Sequence, residues 1–204
     1  MAATMNSLLH FLRFVVGVDE QLSQLTAAET ELLLRHLEGA QVFVEIGCYE
    51  GKTSCAAARR GVPRVYSVDP FTTGRLAICY SEWIARIQRR RDKCQNLTFI
   101  KALSWEAAPA FDQPIDALFI DADHRYEAVQ QDWEQWSPKV TPVGIIALHD
   151  CRIAPNSPDY MGSHRFYEND VPKFKHVKEL AAIDSLVLLR VMESSEGRVG
   201  EERT

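Results

Sequence analysis

The stretch Val-Phe-Val-Glu-Ile-Gly-Cys-Tyr-Glu-Gly-Lys-Thr-Ser, residues 42 to 54, decides the fold. Its first five residues are apolar apart from Glu45 and read as a buried strand. Gly47 to Gly51 reads as a tight loop, and the residues from Lys52 onward read as a helix. Strand, glycine turn and helix in that order set backbone N–H groups and a helix N-terminus over the carboxyl end of a sheet strand, a place that suits a polar or anionic ligand group. Gly47 and Gly51 let the chain take positive φ or approach a ligand where a Cβ would interfere.

The spacing inside the loop narrows the ligand. A dinucleotide site would read Gly-x-Gly-x-x-Gly, and a phosphate-cradling loop would place four residues before Gly-Lys-Ser/Thr. Gly47-x-x-x-Gly51-Lys52-Thr53 has three, and Glu45 and Glu50 would repel a polyphosphate. An acid just ahead of the first glycine suits a ligand with a positive centre or an amino group.

The flanking elements alternate. Upstream, residues 7–17 read as a helix, and Thr26-Ala-Ala-Glu29 is a capping box opening a second helix with Leu32, Leu33, Leu34 and Leu37 for the core. Downstream, Arg64 to Asp69 reads as a strand ending in an acid. Asp69 lies about 20 residues beyond the glycine loop, where a carboxylate can accept ribose hydroxyls. A long helix over about 75–95 follows, with Ile78, Trp83, Ile84 and Ile87 on its inner face. Then come a strand at 97–100, a short helix that Ser104 caps, a strand at 115–121, a helix at 124–137 and a strand at 143–150. Strands alternating with helices predict an α/β fold, a Rossmann-like, doubly wound and mostly parallel seven-stranded sheet. Runs at about 175–180 and 185–192 read as a C-terminal antiparallel strand pair. Residues 151–172 read as a long loop, with Tyr160, Met161, His164, Arg165, Phe166 and Tyr167 available to close over a substrate.

Composition bounds the function. With 204 residues, 46% of them hydrophobic, the chain suits one domain with short additions. These divide as N-terminal helices over 1–39, a ligand-binding domain over 40–192 and a polar tail over 193–204. A net charge of −5 argues against general affinity for nucleic acid or an anionic membrane. Arg86, Arg89, Arg90, Arg91 and Lys93 read as a solvated helix face. The five cysteines include no Cys-x-x-Cys pair, which favours a reducing, cytoplasmic setting. The apolar run from Leu8 to Val18 is broken by His10 and Arg13 and is too short to span a bilayer. It reads as a packing helix, and as a candidate homodimer surface.

The chemistry concentrates in Asp121-Ala-Asp123-His124 and His149-Asp150, each at the carboxyl end of an expected strand. Carboxylates and imidazoles converging there can hold a divalent cation, Mg²⁺ or with imidazole Mn²⁺, and can supply a base. The bland reading is helix capping by Asp123 and a loop hydrogen bond by Asp150.

From about residue 40 to 192 the chain resembles the class I S-adenosylmethionine-dependent methyltransferases. Glu45-Ile-Gly47 with Gly51 matches their first motif, (Asp/Glu)-x-Gly-x-x-x-Gly. Ile120-Asp-Ala-Asp-His-Arg-Tyr-Glu127 and Val143-Gly-Ile-Ile-Ala-Leu-His-Asp150 resemble the small-molecule and sugar O-methyltransferase branch, related to the catechol-type enzymes. Ala122 stands where that branch has glycine, and Val143 replaces the first glycine of its second motif.

The resemblance implies S-adenosylmethionine as cofactor and a small hydroxylated molecule (sugar, phenol or natural product) as acceptor. Glu45, Gly47, Tyr49, Gly51 and Thr53 would surround the methionine part. Asp69 would hold the ribose beside Pro70 and Phe71, and Ser104 and Trp105 would border the adenine. Asp121, also in the cofactor set, and Asp150 would be metal ligands, with His149 as the local third candidate because Cys151 follows Asp150. His124 occupies the place of the catechol-type lysine base, with His149 as the other candidate base. A metal-independent methyltransferase and a non-catalytic S-adenosylmethionine-binding module serving a partner protein stay open as alternatives. A dinucleotide-dependent reductase is disfavoured by the missing glycine fingerprint.

Overall fold

The computed structural model describes residues 2–72, 78–152 and 162–193. In chain order these form α1 (Ala2–Val15), α2 (Ala27–His36), β1 (Val42–Ile46), α3 (Lys52–Arg59), β2 (Arg64–Val68), α4 (Tyr80–Arg91), β3 (Leu97–Ile100), α5 (Ser104–Ala107), β4 (Ile115–Ile120), α6 (Tyr126–Trp136), β5 (Val140–Leu148), α7 (Gly162–Asn169), β6 (Val177–Ile183) and β7 (Leu186–Val191). The strands make one seven-stranded sheet in the order β3-β2-β1-β4-β5-β7-β6. β3, β2, β1, β4 and β5 pair in parallel, while β7 pairs antiparallel with both β5 and β6. The expected mostly parallel sheet with an antiparallel end is the observed architecture.

Alternation along β1 builds a core on each face of the sheet. Val42, Val44 and Ile46 join Leu118, Ile120, Ile146, Trp133, Trp136 and Phe166 on one side. Phe43 joins Leu32, Leu33, Cys55, Ala57, Val65 and Phe119 on the other. Strands buried on both faces explain the near-continuous apolar runs in the sequence. The order reverses between β1 and β4, so the carboxyl ends of these strands open a crevice where ligands bind in such sheets.

The capping box forms: Thr26 Oγ1 accepts the Glu29 N–H, and Glu29 Oε2 accepts the Thr26 N–H. α1 lies on α4, with Phe14 buried. Arg91 caps the carboxyl end of α1, donating to the Phe14 and Val15 carbonyls at 3.1 and 2.7 Å with its guanidinium over the Phe14 ring. The arginine run is therefore partly structural.

Several local expectations are corrected. The helix after β2 runs from Tyr80 to Arg91, and residues 73–77 lie outside the described residues. Trp83 is not on its inner face but 47% exposed, packed beside Phe11 of α1 and Tyr80, while Ile84 and Ala85 are fully buried. Ser104 does not cap α5: Leu103 is the N-cap, and the Ser104 hydroxyl donates to Asp132. The segment read as a long loop holds α7, because Phe166 is buried against Trp133 and Phe174 and draws the chain into a helix. Its side chains serve packing rather than closure. His164 bonds the Cys151 carbonyl, Arg165 lies over Tyr126 and Tyr167 donates to Glu179. Tyr160 and Met161 lie outside the described residues.

Candidate active site

The glycine loop is built by its own backbone. Gly47 has φ of +93° and donates to the Val68 carbonyl at 2.9 Å. Gly51 is the N-cap of α3 at φ +73°. Tyr49, Phe71 and Asp150 also take positive φ, 50°, 45° and 51°. Three of the non-glycine residues with positive φ thus stand around this one rim, a backbone state also found at ligand clamps.

Asp69 ties the loop to the end of β2. Its Oδ2 accepts the Cys48 and Tyr49 N–H groups at 2.8 and 3.2 Å, and its Oδ1 accepts the Phe71 N–H at 2.6 Å. Ribose hydroxyls would meet the remaining lone pairs of a carboxylate that is already fixed.

Glu45 points beneath the loop, 2% exposed, and accepts hydrogen bonds from the Ser54 and Ser67 hydroxyls. Burial pushes its pKa up to about 8, against the pull of those two donors. Glu50 also turns inward, accepting the Leu22 N–H at 2.6 Å and facing His10 Nε2 at 3.2 Å.

A cleft of about 490 Å³ opens above the loop, its walls including Gly47, Tyr49, Asp69, Trp105, Asp121 and Asp132. Pro70, Phe71 and Ser104 line it as well. A recess of about 50 Å³ adjoins it, lined by Glu45, Gly47, Tyr49, Thr53, Asp121 and His124, with Leu22 and Gln24 as its roof. The two spaces thus collect every sequence-derived cofactor residue except Gly51, which sits one turn back at the helix start.

Asp121, His124 and Asp150 meet at the edge of this cleft. One ligand atom from each lies within 4.8 Å of the others, and His124 Nδ1 stands 3.4 Å from Asp150 Oδ2. Two hard carboxylate oxygens and an imidazole make a donor set that fits Mg²⁺ or Mn²⁺. Asp123 stays outside it, accepting the Arg125 N–H and pairing with its guanidinium.

His149 is placed differently. Its ring is buried, with Nδ1 3.0 Å from Asp121 Oδ1 and 3.4 Å from Asp150 Oδ2, and Nε2 3.4 Å from Glu29 Oε2. Burial alone would lower its pKa. The hydrogen bonds with Asp121, Asp150 and Glu29 outweigh that and push it up to about 12. The same contact holds the Asp150 carboxyl below the usual range, and Glu29 is lowered to about 2 despite its burial. Both ring nitrogens of His149 already face carboxylates, Nδ1 toward Asp121 and Nε2 toward Glu29.

Residues 44–151 match the model of the methyltransferase domain family Methyltransf_24. The chain belongs to this family. Its members are class I S-adenosylmethionine-dependent methyltransferase domains, and the matched stretch runs from β1 through the His149-Asp150 turn. Among solved structures, cofactor-bound Rv0187 from MTB is similar with a TM-score of 0.67 and 17% identity, covering 93% of this chain and 91% of that one. The O-methyltransferase from Bacillus cereus in complex with SAH gives 0.63 and 19%, covering 91% and 90%. TomG from Streptomyces achromogenes, an O-methyltransferase involved in tomaymycin synthesis and solved with SAM, gives 0.64 and 16%, covering 92% and 90%. A curated relative, the uncharacterized protein y4gI of Sinorhizobium fredii, is 36% identical over 42 residues, 21% of this chain and 5% of that protein, so the chain spans a small part of its length. Among the described residues no helix is long and apolar enough to cross a membrane.

Three positions at the cleft and the acidic cluster of this methyltransferase domain escaped the sequence. Asp132 is buried in the cleft wall, pushed up to about 6 by burial against the Ser104 hydrogen bond. An acid on the apolar stripe of a helix, between Val129 and Trp133, was its available signal. Gln24 closes the cleft from the segment before α2, and Glu29 enters the acidic cluster from α2 itself. Neither reach can be read from local sequence.

Proposed function

We propose that this protein transfers the methyl group of S-adenosylmethionine to a hydroxyl of a small molecule, assisted by a divalent cation. One observation carries the reading: Asp121 belongs at once to the wall of the cofactor-sized cleft and to the Asp121–His124–Asp150 donor group. A cofactor in that cleft would present its methionine end to the same edge that can hold an acceptor oxygen. Family membership supports the cofactor, and the O-methyltransferases among the similar structures support oxygen as the accepting atom.

The transfer is a displacement in which the acceptor O–CH3 bond forms as the S–CH3 bond breaks, the sulfonium leaves as a neutral thioether, and the acceptor's proton passes to solvent when His124 holds the cation, or to His124 when it does not. The chain's part is positioning and deprotonation. Gly47, Tyr49 and Thr53 border the methionine end, Asp69 and Phe71 the ribose, and Ser104, Trp105 and Asp132 the base. Asp121, Asp150 and His124 would hold Mg²⁺ or Mn²⁺, which when bound lowers the pKa of an acceptor hydroxyl. His149 braces the two carboxylates instead of joining the donor set.

The His124–Asp150 contact favours a second reading, in which His124 is the general base oriented by Asp150 and no metal is needed. Isothermal titration with S-adenosylmethionine and S-adenosylhomocysteine comes first, with NAD and ATP as controls. Labelled methyl transfer to a panel of sugars, phenols and catechols follows, with and without chelator. Micromolar binding of the sulfur ligands and chelator-sensitive transfer support the metal-assisted reading. Chelator-resistant transfer moves the role to His124 as base. Binding with no transfer to any acceptor points to a cofactor-binding module, and no binding by folded protein overturns the proposal.

The organisation follows the same reading: a methyl-transfer domain over 40–192, helices over 1–39 packed on it, and a tail beyond. Leu8, Leu9 and Leu12 on α1 and Val16 just beyond it are exposed and form a surface for a second copy of the chain. Light scattering of the wild type beside Leu9→Asp tests that dimer.

A further inference from the structure

Glu29 opens α2 as the acid of a capping box, a role that asks one oxygen to accept one N–H. In the fold it does more. It is 1% exposed, and its Oε1 accepts both the N–H and the hydroxyl of Ser185, at 2.9 and 2.7 Å. Its Oε2 accepts the Thr26 N–H at 2.8 Å and faces His149 Nε2 at 3.4 Å. Ser185 lies in the turn between β6 and β7, and Thr26 also donates to Asp184 of that turn at 2.9 Å. The carboxylate is thus clamped by two separate elements before it meets the ring.

Across the ring, Nδ1 reaches Asp121 and Asp150 together, the two carboxylates of the donor group. An imidazole anchored at one nitrogen cannot turn about its Cβ–Cγ bond without breaking that anchor. Fixing Nε2 therefore fixes where Nδ1–H points. The ring is buried and stands edge-on to Phe119, with centroids 6.4 Å apart, which limits the orientations open to it.

We propose that Glu29 is a positioning residue for the cation site, acting through His149 to hold the Asp121 and Asp150 carboxylates in the arrangement a divalent ion requires. The inference rests on the cation reading of that donor group. Outer partners of metal ligands influence affinity about 10- to 100-fold, the range expected here. A purely structural Glu29 would cap α2 and cross-link it to the β6–β7 turn, with no effect on the ion beyond general stability.

The test is Mn²⁺ titration of the full chain, saturated with S-adenosylhomocysteine and followed by electron paramagnetic resonance. Glu29→Leu should bind Mn²⁺ about 10- to 100-fold more weakly. Glu29→Gln keeps a neutral acceptor and should lose about threefold or more, but less than Glu29→Leu. Thr26→Ala removes the hydroxyl half of the cap and the bond to Asp184, while the backbone N–H to Glu29 stays and the ring is untouched, so it should lower the melting temperature and leave Mn²⁺ affinity unchanged. Should Glu29→Leu fail to fold, the Gln variant carries the comparison, and an unchanged affinity there overturns the proposal. Wild-type affinity in Glu29→Leu, or an equal loss in Thr26→Ala, overturns it as well. If the wild type binds no Mn²⁺, the cation reading itself falls. The positioning is then judged on the ¹⁵N–¹H signals of the His149 ring: loss of exchange protection in the Glu29 variants but not in Thr26→Ala supports it, and identical spectra overturn it.

Discussion

Gly47 lies directly against the backbone of Asp121: a Cβ on Gly47 would fall 2.0 Å from the Asp121 carbonyl oxygen and 2.9 Å from Ala122 Cα. The ends of β1 and β4, neighbours in the sheet, cross here, and Asp121 donates its N–H to the Ile46 carbonyl at 2.9 Å. The first glycine of the loop therefore does two jobs. It turns the chain toward Asp69, and it allows Asp121 to stand at the cleft edge.

Gly47→Ala should undo both. The obstacle is backbone, which cannot swing aside like a side chain, and a φ of +93° is strained for alanine. Stability should fall by about 3 kcal/mol, and S-adenosylhomocysteine affinity about 100-fold or more. Chemical denaturation and calorimetric titration measure the two effects. Wild-type binding by the variant would show that the loop does not shape the cofactor site.

Asp69 is the next point of attack. Replacing it with alanine strands the Cys48, Tyr49 and Phe71 N–H groups and removes the proposed ribose acceptor, so cofactor affinity should fall about 100-fold. Asp69→Asn keeps one acceptor oxygen and should fall in between, about tenfold. If the alanine variant binds S-adenosylhomocysteine as tightly as the wild type, the ribose assignment is wrong.

Glu45 predicts a pH dependence. Its carboxyl keeps its proton in the fold up to about pH 8, whereas in the unfolded chain it loses it at the ordinary value near 4.5. Between those values the unfolded state binds fewer protons, so this group's contribution to stability declines as pH rises through the window. Glu45→Gln removes that decline. The difference in unfolding free energy between Glu45→Gln and wild type should grow from pH 5 to pH 8 in favour of the variant and level off above. A difference that is flat over this range would show that Glu45 is ionised in the fold.

How far the sequence spoke depended on whether a feature was local. The strand-turn-helix at 42–54 and the capping box at Thr26–Glu29 are set by neighbours along the chain, and both are found where the residues place them. Asp121 and His124 are three apart on one turn, so their meeting is a local matter too. His149 was legible as a site residue but not as a buried ring among three carboxylates, because these come from α2, the end of β4 and the turn after β5. α7 was hidden for the same reason: eight residues make a marginal helix on their own, and burial of Phe166 stabilises this one. Trp83 was misassigned because an aromatic beside Ile84 reads as core, whereas it meets the Phe11 and Tyr80 rings and stays 47% exposed.

Val143 carries a prediction of its own. Its φ is +59°, a region where a β-branched side chain is an outlier and glycine is at ease. β5 is irregular at this point, its pairing with β4 shifting register between Ile115 and Ala117. Gly144 next to it has no room for a Cβ, which would fall 2.7 Å from Val140 Cγ1 and 2.8 Å from the Thr141 carbonyl, so the strand cannot relax by moving the strain along. The Val143 side chain is 53% exposed and gives up little burial when removed. Left-handed backbone costs an ordinary residue about 1–2 kcal/mol, and glycine's greater freedom in the unfolded chain returns about 0.5–1. Val143→Gly should therefore stabilise the protein by about 0.5–1 kcal/mol and raise its melting temperature by about 2–3 °C. The site lies past Leu148 at the other end of the strand, so S-adenosylhomocysteine affinity should not change. A lowered melting temperature would mean that packing around the valine outweighs the backbone strain.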